Sequence, residues 1–176
     1  MKIKASTVKA LRERTGVGMM DCKKALQETD GDIEAAIVHM RKSGAVKAAK
    51  KAGRITAEGR IVIEQRHAAN TVVVLEVNSE TDFVAKDENF VNFCGMVAAC
   101  LLEHEPADID GLMPLDVGGQ SLEDLRTQLV AKVGEHIHVR RFSIMKTEGH
   151  VGAYLHGIRI GVLVDLAGGD ADLAKD

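Results

Sequence analysis

The chain has 176 residues, which is enough for one domain or two small ones around a real hydrophobic core. Its formal net charge of −3 argues against a general nucleic-acid binder but is compatible with a local basic patch. No leading apolar segment resembles a signal peptide, and no apolar run approaches membrane-spanning length. We therefore expect a soluble cytoplasmic protein without membrane contact.

The three cysteines, Cys22, Cys94 and Cys100, have neither CxxC spacing nor an even count. Cys22 and Cys94 fall on predicted apolar helix faces, where a free thiol behaves as a small hydrophobic side chain. This use of cysteine is typical of a reducing compartment.

Residues 1–53 are predicted to be entirely helical. Apolar side chains recur at the spacing of amphipathic helices in three successive segments. Ser6 or Thr7 can cap the first helix, and a basic last turn followed by Gly44 predicts the end of the third. The side chains expected to face the interior are Val8, Leu11, Thr15, Cys22, Ala25, Leu26, Ile33, Ala36, Ile37 and Met40. So small a three-helix bundle would be only marginally stable alone.

A basic stretch follows the predicted bundle. Residues 45–52 contain Lys47, Lys50 and Lys51 among four alanines. This composition favours a solvated linker helix, and contact with RNA or with an acidic partner is the alternative.

From Arg60 the hydrophobic period changes from that of helices to that of strands. Residues 61–63 and 72–77 are rich in β-branched side chains and predict a hairpin that turns through residues 67–70. The next segment has the pattern of a helix with Asp87 as its cap. Its predicted core face consists of Phe90, Phe93, Cys94, Val97, Ala98 and Leu101.

The second half of the chain continues with helices and strands. Residues 104–120 contain both prolines, and we expect a mobile loop there. Ser121 is the expected cap of a helix that buries Leu122, Leu125, Leu129 and Val133. Three strands are predicted at 137–145, 151–156 and 158–166, with turns at 148–149 and 156–157. Hairpin-connected strands with intervening helices predict an α+β fold with antiparallel sheet.

Phe83 has an unusual position for an aromatic residue in a chain with four Phe, one Tyr and no Trp. It falls in the connection between the predicted strand 72–77 and the helix capped by Asp87. One interpretation is that Phe83 folds back onto the helix as a hydrophobic staple. The other is that it protrudes as an anchor for a pocket on a partner protein.

Three segments carry a family resemblance. They are Thr81-Asp82-Phe83-Val84-Ala85-Lys86-Asp87, the N-terminal stretch from Val8 to Leu26, and Tyr154-Leu155-His156-Gly157-Ile158-Arg159-Ile160-Gly161-Val162-Leu163. In this order they resemble the elongation factor Ts family, the bacterial nucleotide-exchange factors for elongation factor Tu. Residues 104–120 show no pattern of that family.

The resemblance implies a domain organisation. Residues 1–53 would form a ubiquitin-associated-like helical bundle with its basic connector, 54–140 a first core subdomain, and 141–176 the start of a second. Members of the family continue into a helical dimerisation segment and a C-terminal module. This chain stops before them, so we expect a monomer.

The resemblance also implies a binding site. The loop expected to enter the GTPase domain of elongation factor Tu and disturb its Mg²⁺ site consists of Thr81, Asp82, Phe83 and Val84. Further partner contacts are implied for Arg12, Met19, Met20, Lys23 and His156. For the two methionines the alternative is core packing of at least one, and for His156 it is a solvated turn.

The sequence contains no nucleophile elbow, Walker loop or HExxH motif, which favours a binding protein over an enzyme. His136 and His138 could share a strand face, but a metal would need two more ligands, so we expect neither metal nor cofactor. Three functions remain open: nucleotide exchange on GDP-bound and nucleotide-free elongation factor Tu, a protein-binding adaptor without exchange activity, and an RNA-associated translation accessory using residues 47–54.

Overall fold

The computed structural model describes residues 3–66, 70–168 and 172–174. Its elements in chain order are α1 (Ala5–Thr15), α2 (Met19–Glu28), α3 (Ile33–Lys51), β1 (Glu58–Arg66), β2 (Thr71–Ser79), α4 (Asp82–Ala85), α5 (Glu88–His104), α6 (Ile109–Leu112), α7 (Leu122–Val133), β3 (His138–Lys146), β4 (His150–His156) and β5 (Ile160–Leu166). The predicted α+β class with antiparallel sheet is confirmed.

The first three helices enclose a small hydrophobic core of their own. Its buried residues are Val8, Leu11, Cys22, Ala25, Leu26 and Ala36. The predicted interior face is therefore confirmed for the first two helices, apart from Thr15, which is half-buried. The predicted cap is wrong, because α1 begins two or three residues earlier, with Lys4 as its N-cap and no side-chain cap bond. Gly16 ends α1 in the left-handed region, with φ 67°, as a glycine can do without strain.

The third helix does not end before Gly44, as its basic turn and glycine predicted, but runs on to Lys51. Gly44 is buried against α7, where an added Cβ would lie 3.8 Å from the Ala131 Cβ. The supposed linker helix is thus the second half of α3, and Ala48 from it lies in the main core. Packing against α7 outweighs the local stop signal, because propensity is only a weak prior on helix ends.

A three-stranded antiparallel sheet in the order β1-β2-β3 forms the centre of the main core. The predicted hairpin of β1 and β2 is confirmed, with Val62 opposite Leu75, although its turn at 67–69 lies outside the described residues. Helix α5 packs against β1 and β2. The predicted face of α5 is buried as a whole, namely Phe90, Phe93, Cys94, Val97, Ala98 and Leu101. In α7, by contrast, Leu122 and Leu129 are buried while Leu125 and Val133 are only partly so.

The segment 104–120 is not the structureless loop that its prolines predicted. It contains α6, whose N-terminus is capped by the Asp108 side chain, with Oδ1 accepting from Gly111 N at 2.8 Å. Leu112 is fully buried in the main core, and Asp116 forms a β-bridge with Ser121. The apolar residues between the prolines and glycines close over the core, which the composition alone did not reveal.

The last two strands form a separate two-stranded antiparallel sheet. It joins the rest of the fold through β1, where Ile61 N donates to Ile158 O at 2.7 Å. The predicted turn at His156-Gly157 is present, with Gly157 at φ 62°. The subdomain boundary expected after residue 140 falls inside β3, and the three-part division stays a prediction. Within the described ranges, no helix is both long and apolar enough to cross a membrane.

Candidate functional site

Phe83 lies on α4, a single helical turn directly after the central strand β2. Thr81 is the N-cap, and its hydroxyl accepts from Val84 N at 3.4 Å. The side chain of Phe83 is 82% exposed. The staple interpretation is therefore wrong, because a folded-back ring would be covered by the helix that it packs on.

The four residues Thr81 to Val84 have different surroundings. Val84 packs against the main core, while the Thr81 hydroxyl is engaged within the chain. Asp82 accepts a hydrogen bond from Lys86 Nζ at 2.8 Å, and this bond holds the pKa of its carboxyl below the usual value. Phe83 is thus the member of the group with the most freely available apolar surface.

A carboxylate from a distant segment holds the start of this turn. Glu135 Oε2 accepts from Glu80 N at 3.1 Å and from Thr81 N at 3.0 Å. Its Oε1 accepts from the Thr81 hydroxyl at 2.6 Å. Ser79 adds a bond from its hydroxyl to Thr81 O at 2.9 Å.

Glu80 connects the same two segments in the opposite direction, because its carboxylate accepts from the segment that follows α7. Its Oε1 accepts from His136 N at 2.6 Å and from Arg54 Nη1 at 3.3 Å. The backbone bond from His136, followed by the Arg54 guanidinium, lowers the pKa of the Glu80 carboxyl against the opposing effect of burial. The side chains of Glu80 and Glu135 together connect residues 80–81 with residues 135–136, and we call them the Glu80–Glu135 clamp.

The sequence analysis missed this clamp. Neither Glu80 nor Glu135 was given a role or a partner from the sequence. Their contacts join positions more than 50 residues apart. No periodicity reports such a contact, and the sole local hint is Gly134, which ends α7 just before Glu135.

The bundle residues implied as contacts are all at the surface. Met19 and Met20 open α2 and are 42% and 76% exposed, so the core-packing alternative is wrong for both. Arg12 and Lys23 are exposed as well. Lys23 follows Met19 by four residues and Met20 by three on the same helix, and it is therefore a surface neighbour of each.

His156 lies at the exposed tip of the β4–β5 hairpin. Its Nδ1 is 3.2 Å from the Tyr154 hydroxyl and both side chains are exposed, which fits a partner contact and a solvated turn alike. Tyr154 itself is 61% exposed. Further exposed apolar side chains on the hairpin are Leu155, Ile160, Val162 and Val164.

His136 and His138 do share a side, with their rings stacked at a centroid distance of 6.0 Å. His136 is buried, and its Nδ1 is 3.1 Å from Arg54 O, to which it can donate. The pKa of His138 is lowered, mainly by burial and to a smaller extent by the neighbouring His136. In the part of the chain that the structure describes, no group of three or more His, Cys, Asp or Glu side chains is arranged to hold a metal ion.

Fold and site together define an α+β protein whose distinguishing surface feature is an exposed aromatic side chain on a firmly bonded turn. A family model described as "Elongation factor TS" matches residues 80–176, which include the turn, the clamp and the hairpin. The chain belongs to the elongation factor Ts family, whose members are translation elongation factors, and the resemblance of the three sequence segments is confirmed.

Curated relatives extend the match to the N-terminal bundle. Elongation factor Ts of Thioalkalivibrio sulfidiphilus is 58% identical and covers 100% of this chain, which spans 61% of that protein. Elongation factor Ts of Alcanivorax borkumensis is 55% identical over 96% of this chain, which spans 60% of that protein. That of Alkalilimnicola ehrlichii is 54% identical over 100% of this chain and 61% of its own length. The chain thus spans about three fifths of the relatives that it matches.

Proposed function

We propose that the chain acts as a guanine-nucleotide exchange factor that binds elongation factor Tu, in its GDP-bound and nucleotide-free states, and promotes GDP release. The observation that carries the proposal is the 82% exposure of Phe83 on α4, within the sequence segment that most resembles the family. Exposed aromatic side chains of this kind dominate the energies of protein interfaces.

Such a factor needs no catalytic group and is not an enzyme with chemistry of its own. It needs a higher affinity for the nucleotide-free or distorted GTPase than for the Mg·GDP form, and by linkage it then weakens nucleotide binding by the same factor. Full burial of one Phe side chain contributes about 1.5–3 kcal/mol, which is roughly a ten- to hundredfold change in affinity. Phe83 therefore supplies part of the effect and other contacts must supply the rest.

In the proposed mechanism the turn from Thr81 to Val84 enters the GTPase domain. Phe83 fills a pocket that is open only in the distorted state, and the neighbouring Asp82 lies close to the displaced Mg²⁺ site. Mg²⁺ requires near-ideal octahedral coordination, so that a small displacement of its ligands weakens its binding and that of GDP.

The further contacts are proposed at the two other exposed surfaces. Arg12, Met19, Met20 and Lys23 would hold the same GTPase domain from the bundle, and His156 would contact another part of the partner from the hairpin tip. The support for both is that these side chains are exposed and, for the methionines, apolar.

Addition of the chain to elongation factor Tu loaded with a fluorescent GDP analogue tests the proposal. We expect a concentration-dependent acceleration of analogue release that reaches a plateau. Binding without acceleration would support the adaptor alternative instead.

The RNA-associated alternative has less structural support. Of the basic side chains in residues 47–54, Lys47 is paired with Asp21 at 3.1 Å, Arg54 with Glu80, and Lys51 donates to Gly134 O. A steep fall of RNA affinity with salt would favour this alternative, whereas binding through Phe83 predicts a shallow salt dependence.

We also propose a monomeric chain that forms a one-to-one complex with elongation factor Tu. The exposed apolar side chains of β5, among them Ile160, Val162 and Val164, are the surface that could oppose this by pairing with a second copy. Light scattering over a wide dilution range distinguishes the two, and a stable dimer would overturn the proposal.

A further inference from the structure

We propose that Glu135 is a positioning residue for the exchange reaction: its carboxylate holds the turn from Thr81 to Val84 in the binding conformation before the partner arrives. The proposal rests on the proposed function of that turn. Glu135 itself would not need to contact elongation factor Tu, because it acts through Thr81.

The hydrogen bonds form a continuous path from Glu135 to the helix that carries Phe83. Glu135 accepts from the backbone N–H groups of Glu80 and Thr81 and from the Thr81 hydroxyl, at 3.1, 3.0 and 2.6 Å. The same hydroxyl accepts from Val84 N and so caps α4. The orientation of α4 therefore depends on Thr81, and that of Thr81 depends on Glu135.

The backbone segment that carries Glu135 is itself held in place by hydrogen bonds. Gly134 ends α7 with φ 81°, and its carbonyl accepts from Lys51 of α3. Next to Glu135 in the chain, His136 donates from its backbone to Glu80 and from its ring to Arg54 O. The segment 134–136 is thus bonded to α3, to Arg54 three residues beyond the end of α3, and to the turn, which makes the Glu80–Glu135 clamp a rigid support.

A role confined to core stability does not account for this arrangement. Val84 and Ala85 already pack the turn onto the main core through apolar contacts. The clamp holds the half-buried start of the turn, and the ring of Phe83 that follows is 82% exposed. Charge-assisted bonds at the base of a turn that presents an exposed ring indicate preorganisation, which lowers the conformational cost of binding.

The first test uses the free protein and no partner. Hydrogen exchange of the backbone amides in residues 80–86 is compared between wild type, Glu135→Ala and Glu135→Gln. We expect the alanine variant to lose protection by about tenfold or more at these amides while β2 and α5 keep theirs, and the glutamine variant to lie between. Unchanged protection in residues 80–86 would overturn the proposal.

The control is Glu103→Ala, which removes an exposed carboxylate at the far end of α5. Glu103 lies one residue before the end of this 17-residue helix and is therefore roughly 22 Å from its N-terminus, next to which the turn lies. This variant should match wild type in hydrogen exchange and in GDP release.

The second test is a double-mutant cycle on GDP release with Glu135→Ala and Phe83→Ala. Alone, Glu135→Ala should raise the concentration for half-maximal exchange by about tenfold with little change of the plateau. In the Phe83→Ala background, Glu135→Ala should have only a small effect, because the ring whose position depends on Glu135 is absent. Full additivity would overturn the positioning role. A wild-type chain that does not accelerate release would instead overturn the proposed function, and the hydrogen-exchange result would still decide whether Glu135 orders the turn.

Discussion

At the scale of single residues, the side chains of the turn from Thr81 to Val84 differ in what they contact. Thr81 and Val84 connect it to the chain, by hydrogen bonds and by packing respectively, and Phe83 remains free to contact a partner. Asp82 lies between, with its carboxylate paired to Lys86 across one helical turn. Because such an exposed pair contributes little to folding, Asp82 is available to the partner at small cost.

We predict that Asp82→Ala slows exchange by about two- to fivefold, the scale of one exposed charge, and less than Phe83→Ala does. Lys86 then loses its partner but stays in water, so the thermal unfolding midpoint should be unchanged. GDP release at limiting concentrations of the chain measures the effect. An unaltered release rate would remove Asp82 from the mechanism.

The Glu80 carboxyl gives the turn a predictable response to acid. Its folded-state pKa is lowered by the bond from His136 and by Arg54. Its stabilising contribution is therefore fully present above the ordinary pKa near 4.5 and is lost as the pH falls through the lower folded value. We predict that protection of the His136 backbone amide declines below about pH 4.5 in wild type, and that Glu80→Gln, which is already uncharged, shows a flatter profile. Identical profiles would contradict the assignment.

At the scale of elements, α3 connects the two hydrophobic cores. Its first half supplies Ala36 to the bundle, and its second half supplies Ala48 to the main core. Gly44 lies between them, buried against α7 in helical conformation. An added Cβ there would make ordinary van der Waals contact, with its nearest neighbours at 3.8 Å.

We predict that Gly44→Ala stabilises the protein by about 0.5–1 kcal/mol, because alanine loses less conformational entropy in a helix than glycine. Gly59→Ala is the contrasting variant, since its φ is 144° and its Cβ would lie 2.2 Å from Val77 O. That variant should be strongly destabilised. Denaturant unfolding of both variants measures these effects, and a destabilised Gly44→Ala would contradict the prediction that the added methyl group fits between α3 and α7.

Features that depend on residues close together in the chain were predicted correctly from the sequence, whereas features that depend on distant residues were not. Local signals gave the caps Asp87 and Ser121, the buried face of α5 and the hairpin of β1 and β2, all of which are confirmed. The end of α3 and the ordered segment around Leu112 were mispredicted, because distant packing partners determine them. Within the candidate site, Phe83 was visible as an aromatic residue outside any apolar face. Glu135 was not, because its partners are 54 and 55 residues away.

At the scale of the whole molecule, the exposed apolar and charged residues proposed as contacts lie on three separate parts of the fold. These are the bundle, the turn after β2 and the hairpin tip. Their proposed roles differ: the turn changes the partner, and the bundle mainly adds affinity. The structure also limits where the bundle can be removed, because a cut at residue 53 removes Ala48 from the main core and the bond of Lys51 to Gly134 O.

We therefore predict the outcome for a deletion of residues 1–40, which keeps the second half of α3. The half-maximal concentration for exchange should rise by about tenfold or more, since the contacts of Met19 and Met20 are lost, while activity remains at saturation. GDP release over a concentration series measures both quantities. Complete inactivity of the folded deletion variant at high concentration would contradict the division of roles.

The measurement that tests the central claim most directly compares Phe83→Ala with Ile55→Ala in GDP release from elongation factor Tu. Ile55 is a matched control, because its side chain is 85% exposed and no partner contact is proposed for it. Neither variant should shift the thermal unfolding midpoint much, since both side chains lie in water. We expect Phe83→Ala to reduce exchange by about ten- to hundredfold and Ile55→Ala to leave it unchanged. Near-normal exchange by Phe83→Ala, or an equal loss in both variants, would contradict the claim that Phe83 anchors the partner.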